Sequence, residues 1–446
     1  LWPARVSEIT RRKCGAVELP RVVRQSGWRA APLAVSSRDE KVQRLRILVV
    51  ATKPPYPPTD GGKLLMWNTF KELAGRGHRV TFVAPHPTDL DSSSLETIQR
   101  YCSARFVRCR RGRLIPTMVR AQLTGRPLSI LRHSYPQLQR AVADELTLQS
   151  FDVVHAEQVQ ALYNIPASAA LPPLVLRAQN VESHLWRMVG AARPMLGYVA
   201  RHEARKMAAV EAEALRRADM TLALTRDDGA ALAGGLDMAA RRIRIVPPFF
   251  PSSLPTFEKP LKGDPAIVLL GGGWLPNRDS IRWFFESIWS PVRAENPGAH
   301  AHVFGADRRI RQPSTTSLPS PQDSQEIFHR DAILVVPLRI ASGIRMKIIE
   351  AWARGVPVVA TPEAVKGLEV LNEKEAMLAE NGAEFASAIR RLREDPGLKE
   401  RLVEGGRRRL VRQFDPARIS RELEDAYSTA ISSVTAQGSD GSRSPS

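Results

Sequence analysis

The sequence predicts an α/β protein of two domains, each built on a parallel sheet, and three observations carry that expectation. In both halves, short apolar runs bounded by turn residues alternate with stretches whose apolar residues recur every three or four positions, as in strand–helix–strand units. Between the halves lies a proline-rich segment, PPFFPSSLPTFEKPLKGDP, that reads as a linker. The 446 residues suffice for two domains with separate cores, and the 43% hydrophobic and 25% charged content is that of a globular chain.

Residues 1–43 are rich in Arg and Lys, show no sustained periodicity, and are expected to form a disordered basic leader. Residues 46–51, RILVVA, read as the first strand. The loop TKPPYPPTDGG closes on Gly61 and Gly62, ahead of a helix over 63–77 whose Leu64, Trp67, Phe70 and Ala74 form one stripe. Two glycines before a helix let backbone approach a phosphate closely, although a tight turn is their commoner use. Residues 80–84 make the next strand. The Asp-x-Asp pair in HPTDLDSSS sits among Ser and Pro, which marks its aspartates as turn and helix caps, and no metal site is expected there. Further strands are expected at 151–155 and 174–176. RAQNVESHLWRM follows, with Gln179 near its start, and His155 at the strand end is a second polar candidate. A long helix over 200–218 leads to strands in ADMTLALT and at 244–246. This completes a first domain of residues 44–248, with the linker at 249–265.

The second domain, 266–412, opens on a strand at 266–270 and then GGGWLPNRDSIRWFFESI, which lacks the GxGxxG spacing of a dinucleotide site. A strand at 302–305 and a Ser/Pro-rich loop over 311–324 precede the stretch that organises the chain, residues 335–368. There an apolar strand (333–338) meets a loop ending in Ser342-Gly343. A helix follows with Ile344, Ile348 and Trp352 at four-residue spacing, stopped by Gly355 and Pro357, and then a strand at 356–360. Arg345, Lys347 and Glu350 fall in or near its first two turns, and Lys347, Glu350 and Arg354 share a face. The loop at the carboxyl end of a parallel strand is where open α/β sheets bind ligands, and the helix N-terminus suits a diphosphate. The plainer reading is a solvated face with a Lys–Glu pair. Residues 384–412 read as a basic helix, 413–434 hold a final helix over 415–431, and 435–446 a disordered tail.

The run SGIRMKIIEAWARGVPVVAT resembles the signature of the retaining glycosyltransferases of family 4, in which a glutamate precedes an A-x-A-x-G-x-P-V-V run. That resemblance implies the glycosyltransferase-B fold: two Rossmann-like, doubly wound domains facing a cleft, with a terminal helix crossing back to the first. It implies metal-independent transfer of a hexose, with retention, from a nucleoside-diphosphate sugar to an acceptor hydroxyl. A glycan or lipid-linked acceptor in exopolysaccharide, lipopolysaccharide or glycolipid synthesis is implied, with no cofactor beyond the donor. Glu350 takes the place of the ribose-binding glutamate, and Gly343, Arg345 and Lys347 belong to an S-G-x-R-x-K run suited to the leaving diphosphate. Gly61 and Gly62 match the loop that touches donor phosphate or acceptor, and Asn277 and Arg278 lie in a Pro-Asn-x-Asp segment that faces the cleft. Gln179 stands where the family has a histidine near the transferred sugar; glutamine can hydrogen-bond a hydroxyl but cannot titrate. Other departures are Ser342 for an earlier glutamate, Leu65 for an arginine and Lys366 for a glutamate.

The net charge of +19 and pI near 10.5 call for an anionic partner. No helix-turn-helix, RNP or zinc-finger pattern appears, so nucleic acid is not expected. Residues 97–143 hold ten arginines and no acidic residue, interleaved with Phe106, Leu114, Ile115, Met118, Val119 and Leu123. Such a stretch suggests contact with an anionic membrane surface, against the plainer reading of a solvated helix face. No apolar run approaches the roughly 20 residues of a membrane span. Cys14, Cys102 and Cys109 form no CxxC motif, and the expected location is the cytoplasm, peripheral on the inner face of the cell membrane. Two rival readings are a sugar-nucleotide epimerase of the same fold, which needs titratable groups in the cleft, and a basic non-enzymatic binder of lipid or nucleic acid.

Overall fold

In a computed structural model the described residues are 44–440 apart from 89, 111, 168–170, 235–241, 273–274, 307–309 and 322, with side chains described to 435. Their apolar runs fold into two sheets whose strands pair in parallel throughout. The first holds β1 (Arg46–Val50), β2 (Arg79–His86), β3 (Ser103–Arg108), β4 (Val153–Glu157), β5 (Leu174–Ala178), β6 (Met220–Ala223) and β7 (Ile243–Ile245), in the order β3-β2-β1-β4-β5-β6-β7. The second holds β8 (Ala266–Leu270), β9 (His300–Phe304), β10 (Thr315–Leu318), β11 (Ala332–Val336), β12 (Val358–Ala360) and β13 (Met377–Leu378), in the order β10-β9-β8-β11-β12-β13.

Alternate side chains of each strand enter different cores. Ile47 and Val49 pack with Phe70 and Phe82, whereas Leu48 and Val50 pack with Leu138 and Met207. In the second sheet Ile267 and Leu269 meet Phe284 and Ile389, while Val268 meets Ile348 and Trp352. Helices thus cover both faces, which is why these strands are apolar at every position instead of alternating. In each sheet the order reverses beside the first strand, at β1/β4 and at β8/β11. A crevice opens at such a point beyond the carboxyl ends of the strands. The last helix, Pro416–Asp440, returns to the first sheet, where Ile419, Leu423, Ala426 and Tyr427 join the core of Met66, Phe70 and Met220. Both sheets lie in one compact unit, residues 39–446.

Several local expectations are corrected. The key helix spans Met346–Ala353, and Arg345 (φ −88°, ψ 85°) stands outside it, so Ile344 and Arg345 belong to the loop. The basic helix expected over 384–412 is two helices, Gly382–Glu394 and Pro396–Gln413. Proline cannot continue a helix, and Asp395 caps the second through Leu398 N at 2.9 Å. The final helix reaches Asp440, past the expected start of the tail, because a helix anchored by packing adds further turns at little cost. Residues 311–324, expected as a loop, contain β10. The arginine-rich stretch over 97–143 comprises β3, helices Leu114–Leu123 and Leu128–His133, and the start of helix Pro136–Leu148. The 1–43 leader and residues 441–446 lie outside the described residues. Among those described, no helix is long and apolar enough to cross a membrane.

Candidate active site

The β8/β11 crevice brings together residues far apart in sequence. Lys347, one position into its helix, is half-buried and its Nζ lies 3.4 Å from Asn277 Oδ1. Asn277 in turn donates from Nδ2 to the Gly271 carbonyl, 3.1 Å away, just beyond β8. Arg278, next on the same helix (Leu275–Trp283), is exposed. Arg345 is buried and donates to the Ser342 carbonyl, with Asp228 and Glu363 near enough to act on its charge. Burial pushes Arg345 down to about 10, and burial together with the Arg345 charge pushes Lys347 down to about 8. No side chain caps the N-terminus of the Met346–Ala353 helix, so its positive dipole end and two cations share one place.

Glu350 is placed differently from the simple sequence expectation. It pairs with Arg354, not Lys347: Arg354 Nη2 lies 3.0 Å from Glu350 Oε1, and the Ser324 hydroxyl donates to the same oxygen. Arg354 also donates to the Pro255 carbonyl. Burial raises the Glu350 carboxyl and Arg354 opposes it. The carboxylate therefore ties the key helix to the turn after β10.

The first lobe closes on this mouth. Asp60 caps the Gly61–Gly75 helix, accepting from Lys63 N at 3.0 Å, and pairs with Lys53 at 2.6 Å. A Cβ on Gly61 would lie 3.4 Å from Met346 Cβ, and one on Gly62 would lie 2.8 Å from Gln179 Oε1. The start of the Gly61–Gly75 helix thus meets the start of the Met346–Ala353 helix, with Gln179 beside them. Gln179 is buried and held at both ends: its Nε2 donates to Glu157 Oε2 at 2.9 Å, and its Oε1 accepts from Gln158 Nε2 at 3.0 Å. Ser342 Oγ accepts from Val181 N at 3.0 Å, and Asn180, with its amide turned to donate, reaches the carbonyls of Gln179 and Ser342 at 3.0 Å each. The structure therefore joins Gly61, Gly62, Gln179, Gly343, Arg345, Lys347 and Asn277 around one interlobe seam.

Gly343 shows how tight that seam is. Its φ is +70°, and a Cβ would land on the Gln179 carbonyl oxygen and the Asn180 side chain. Gly343→Ala is expected to cost about 1–2 kcal/mol from its left-handed backbone alone and to lower turnover at least tenfold by forcing the lobes apart. Thermal melting and donor kinetics check this, and unchanged kinetics would show the loop free to withdraw.

The two lobes correspond to two family models. One described as Glycosyltransferase Family 4 matches residues 59–253, and one described as Glycosyl transferases group 1 matches residues 264–395, together most of the chain. The chain is a glycosyltransferase. Over 372 residues, 77% of this glycosyltransferase and 90% of the relative, it is 21% identical to an uncharacterized 44.6 kDa protein in the cps region of Klebsiella pneumoniae. A shorter match of 84 residues (18% of this chain, 24% of the relative) is 32% identical to the lipopolysaccharide core biosynthesis glycosyltransferase LpsD of Rhizobium meliloti (strain 1021). In fold it is similar to sucrose-phosphate synthase from Thermosynechococcus elongatus, with a TM-score of 0.63, 17% identity, and 87% of this chain and 100% of that one covered. Anabaena HepE in complex with UDP-glucose is similar too, with a TM-score of 0.59, 14% identity, and coverage of 86% and 100%. The glycosyltransferase-B fold is thereby shown.

Sequence reading missed several residues that shape the glycosyltransferase's seam. Asp228 accepts from Gly343 N at 3.4 Å; its only sequence signal was a Thr-x-x-Asp helix start, which Thr225 fulfils. Asp279, in the quoted Pro-Asn-x-Asp segment, is buried and collects Arg339 (2.9 Å), Arg282 (3.0 Å) and, from the first lobe, Arg193 (3.6 Å). His155 is a core residue: its Nδ1 is 2.7 Å from the Tyr427 hydroxyl, and burial lowers its pKa, so it is no cleft candidate. Of the Asp-x-Asp pair, Asp91 caps helix Ser92–Gln99 through Ser94 N at 2.8 Å, while Asp89 lies outside the described residues.

Proposed function

We propose that this glycosyltransferase moves a hexose, with retention at the anomeric carbon and without a metal, from a nucleoside-diphosphate sugar to an acceptor hydroxyl. The pathway proposed is cell-surface polysaccharide, lipopolysaccharide or glycolipid synthesis on the cytoplasmic side of the membrane. The observation that supports this reading best is the meeting of two helix N-termini with Arg345 and Lys347 at a sheet switch point, where a diphosphate gains backbone N–H donors and two cations together. HepE, a relative in fold, carries UDP-glucose, and LpsD, a relative in sequence, bears a lipopolysaccharide name.

In the proposed reaction the bond from the anomeric carbon to the diphosphate oxygen breaks and a bond to the acceptor oxygen forms. The acceptor proton passes to the departing diphosphate. Negative charge grows on the leaving oxygens, so Arg345, Lys347 and the helix end bind the transition state better than the ground state. Gln179, fixed by Glu157 and Gln158, offers a second amide hydrogen to a sugar hydroxyl, and Asn277 orients Lys347. Glu350, locked between Ser324 and Arg354, holds the nucleoside wall and keeps its second oxygen for a ribose hydroxyl.

Donor hydrolysis and transfer are measured across UDP- and GDP-sugars, with the product anomer read by NMR and a chelator arm included. One donor is expected to be consumed, to leave an anomer of unchanged configuration, and to be insensitive to the chelator. Inversion, chelator-sensitive turnover, or reversible conversion of the donor sugar without transfer would each overturn a stated part of the reading. The last outcome is that of the epimerase alternative.

A further inference from the structure

The second lobe carries a concave basic surface that the transfer reaction does not use. A cavity of about 480 Å³ opens between helix Pro396–Gln413 and the 373–375 turn that precedes β13. Lys374 from the turn and Arg401, Arg408, Arg409 and Arg412 from the helix line it, against the carboxylates of Glu373 and Glu375. Positions 401, 405, 408 and 412 recur every three or four residues, so they share one face of the helix. Gly405 also lines the cavity, and a Cβ there would land on the Lys374 carbonyl oxygen. Helix and turn therefore meet backbone to backbone, with Arg401 one helical turn before the contact and Arg408 one turn after it.

One wall of the cavity is fixed and its mouth is open to an anion. Arg409 is buried, and its Nη2 donates to Glu375 Oε1 at 2.8 Å and to the Glu369 carbonyl at 2.7 Å. Glu375 is buried too, and its other oxygen accepts from Leu371 N at 2.9 Å. Glu373 is taken by Arg391 at 2.7 Å. Both lining carboxylates are thus already held by arginines, which disfavours a cationic ligand. Arg401 pairs with Asp395 at 3.4 Å and Arg408 with Glu404, but all four of these side chains are more than half exposed. Pairs this open to water contribute little, so both guanidiniums can turn to a stronger anion at small cost. Lys374 and Arg412 are exposed and have no carboxylate partner among the described residues. Guanidinium forks take phosphate oxygens two at a time, and the cavity has the size of a small-molecule site. A singly charged anion would engage one of these groups, whereas a compact chain of phosphates engages several together.

The cavity backs onto the key helix. Glu375, whose side chain holds Arg409, accepts from Trp352 Nε1 through its carbonyl at 2.9 Å, and a Cβ on Gly406 would land on the Trp352 ring. Trp352 is buried on helix Met346–Ala353, about 7.5 Å along the axis from Lys347. We infer that this cavity binds a compact, multiply charged phosphate compound bearing a diphosphate or triphosphate group, and that its occupation alters turnover through Glu375 and Trp352. The binding stands on the cavity alone; the turnover part rests on the transferase reading.

Inorganic pyrophosphate is titrated calorimetrically into the full chain, which also offers it the mouth at Lys347. One binding component is expected to weaken about tenfold in Lys374→Gln with Arg412→Gln, while the melting temperature of the ligand-free protein stays unchanged. Arg205→Gln with Arg216→Gln removes the same charge from exposed positions elsewhere and is expected to leave binding intact. Equal weakening in the two double variants, a single component lost only with Lys347→Ala, or no pyrophosphate binding would each overturn the cavity assignment. So would an acidic polysaccharide held on this face that pyrophosphate does not displace. UDP displacing pyrophosphate from the cavity supports a nucleotide as the source of the group, and failure to displace it supports the free anion. In assays at saturating donor, where competition for the mouth is removed, pyrophosphate is expected to change kcat about fivefold in the parent and not in Lys374→Gln with Arg412→Gln. An unchanged kcat with the cavity filled refutes the coupling alone. Pyrophosphate binding that is lost in the cavity variant of a protein turning over no donor would fail the transferase reading and leave the cavity assignment standing.

Discussion

Lys347→Ala lowers kcat/KM for the donor by about 10²- to 10³-fold, the size expected when one preorganised partner of a developing anion is removed. The side chain is half-buried at the uncapped end of its helix, where a charge is less screened than in water. Melting should move little, because its one described contact, to Asn277, is long at 3.4 Å. The same group sets a pH limit. With the Lys347 ammonium pushed down to about 8, its charge is full below that pH and is lost as pH rises through it, so kcat/KM is expected to fall on the alkaline side. Lys347→Arg keeps the cation and removes that alkaline limb even where geometry lowers the rate. Kinetics of Lys347→Ala within twofold of the parent, or an alkaline limb surviving in Lys347→Arg, would remove Lys347 from the site. Glu350 needs gentler treatment, since Glu350→Ala would strand the buried Arg354 guanidinium; Glu350→Gln keeps the Ser324 bond while testing the ribose contact.

Glu157→Ala is expected to cost about 3–5 kcal/mol of folding free energy, because it leaves a buried guanidinium unpaired. Glu157 and Arg177 are both buried at the ends of β4 and β5, paired to each other, with Arg177 Nη1 also donating to Thr69 Oγ1 at 3.0 Å. His155 Nε2 lies 3.3 Å from Glu157, and the Tyr427 hydroxyl of the last helix lies behind His155. Burial pushes Glu157 up, but Arg177 and His155 outweigh it and hold the carboxyl at about 2. Its stabilising contribution is therefore complete above the unfolded value of about 4.3, and is lost as pH falls through the folded value. Urea unfolding at neutral pH and at low pH reads both effects, and Tyr427→Phe is the milder control at about 1 kcal/mol. A Glu157→Ala protein as stable as the parent would mean that water reaches Arg177. Because Gln179 donates to the same carboxylate, the variant should also raise donor KM in whatever fraction folds.

Elements that bury a continuous apolar run were legible in advance. RILVVA, AIVLL and the apolar run at 333–338 became β1, β8 and most of β11, since strands covered on both faces need apolar side chains at every position. The half-buried edge strand β10, TTSL, gave no such signal and was hidden in a Ser/Pro-rich loop. The local ingredients of the Ser342–Glu350 stretch, a glycine turn, two cations and a helix start, were legible because each depends on near neighbours. The partners of Glu350 were not. Spacing allowed both Lys347 and Arg354, and Ser324 with the Pro255 carbonyl chose Arg354.

The amino-acid order by itself determined two parallel α/β units and a cationic helix start at 343–350, because each depends on neighbours a few positions apart. Tertiary structure alone decided that Gly61, Gly62 and Gln179 sit on that mouth, that Asp279 gathers arginines from both lobes, and that the apolar side chains of 114–123 face outward. Those outcomes turn on how the two sheets and their helices meet, and residue spacing along a chain carries no information about the face a distant element will present.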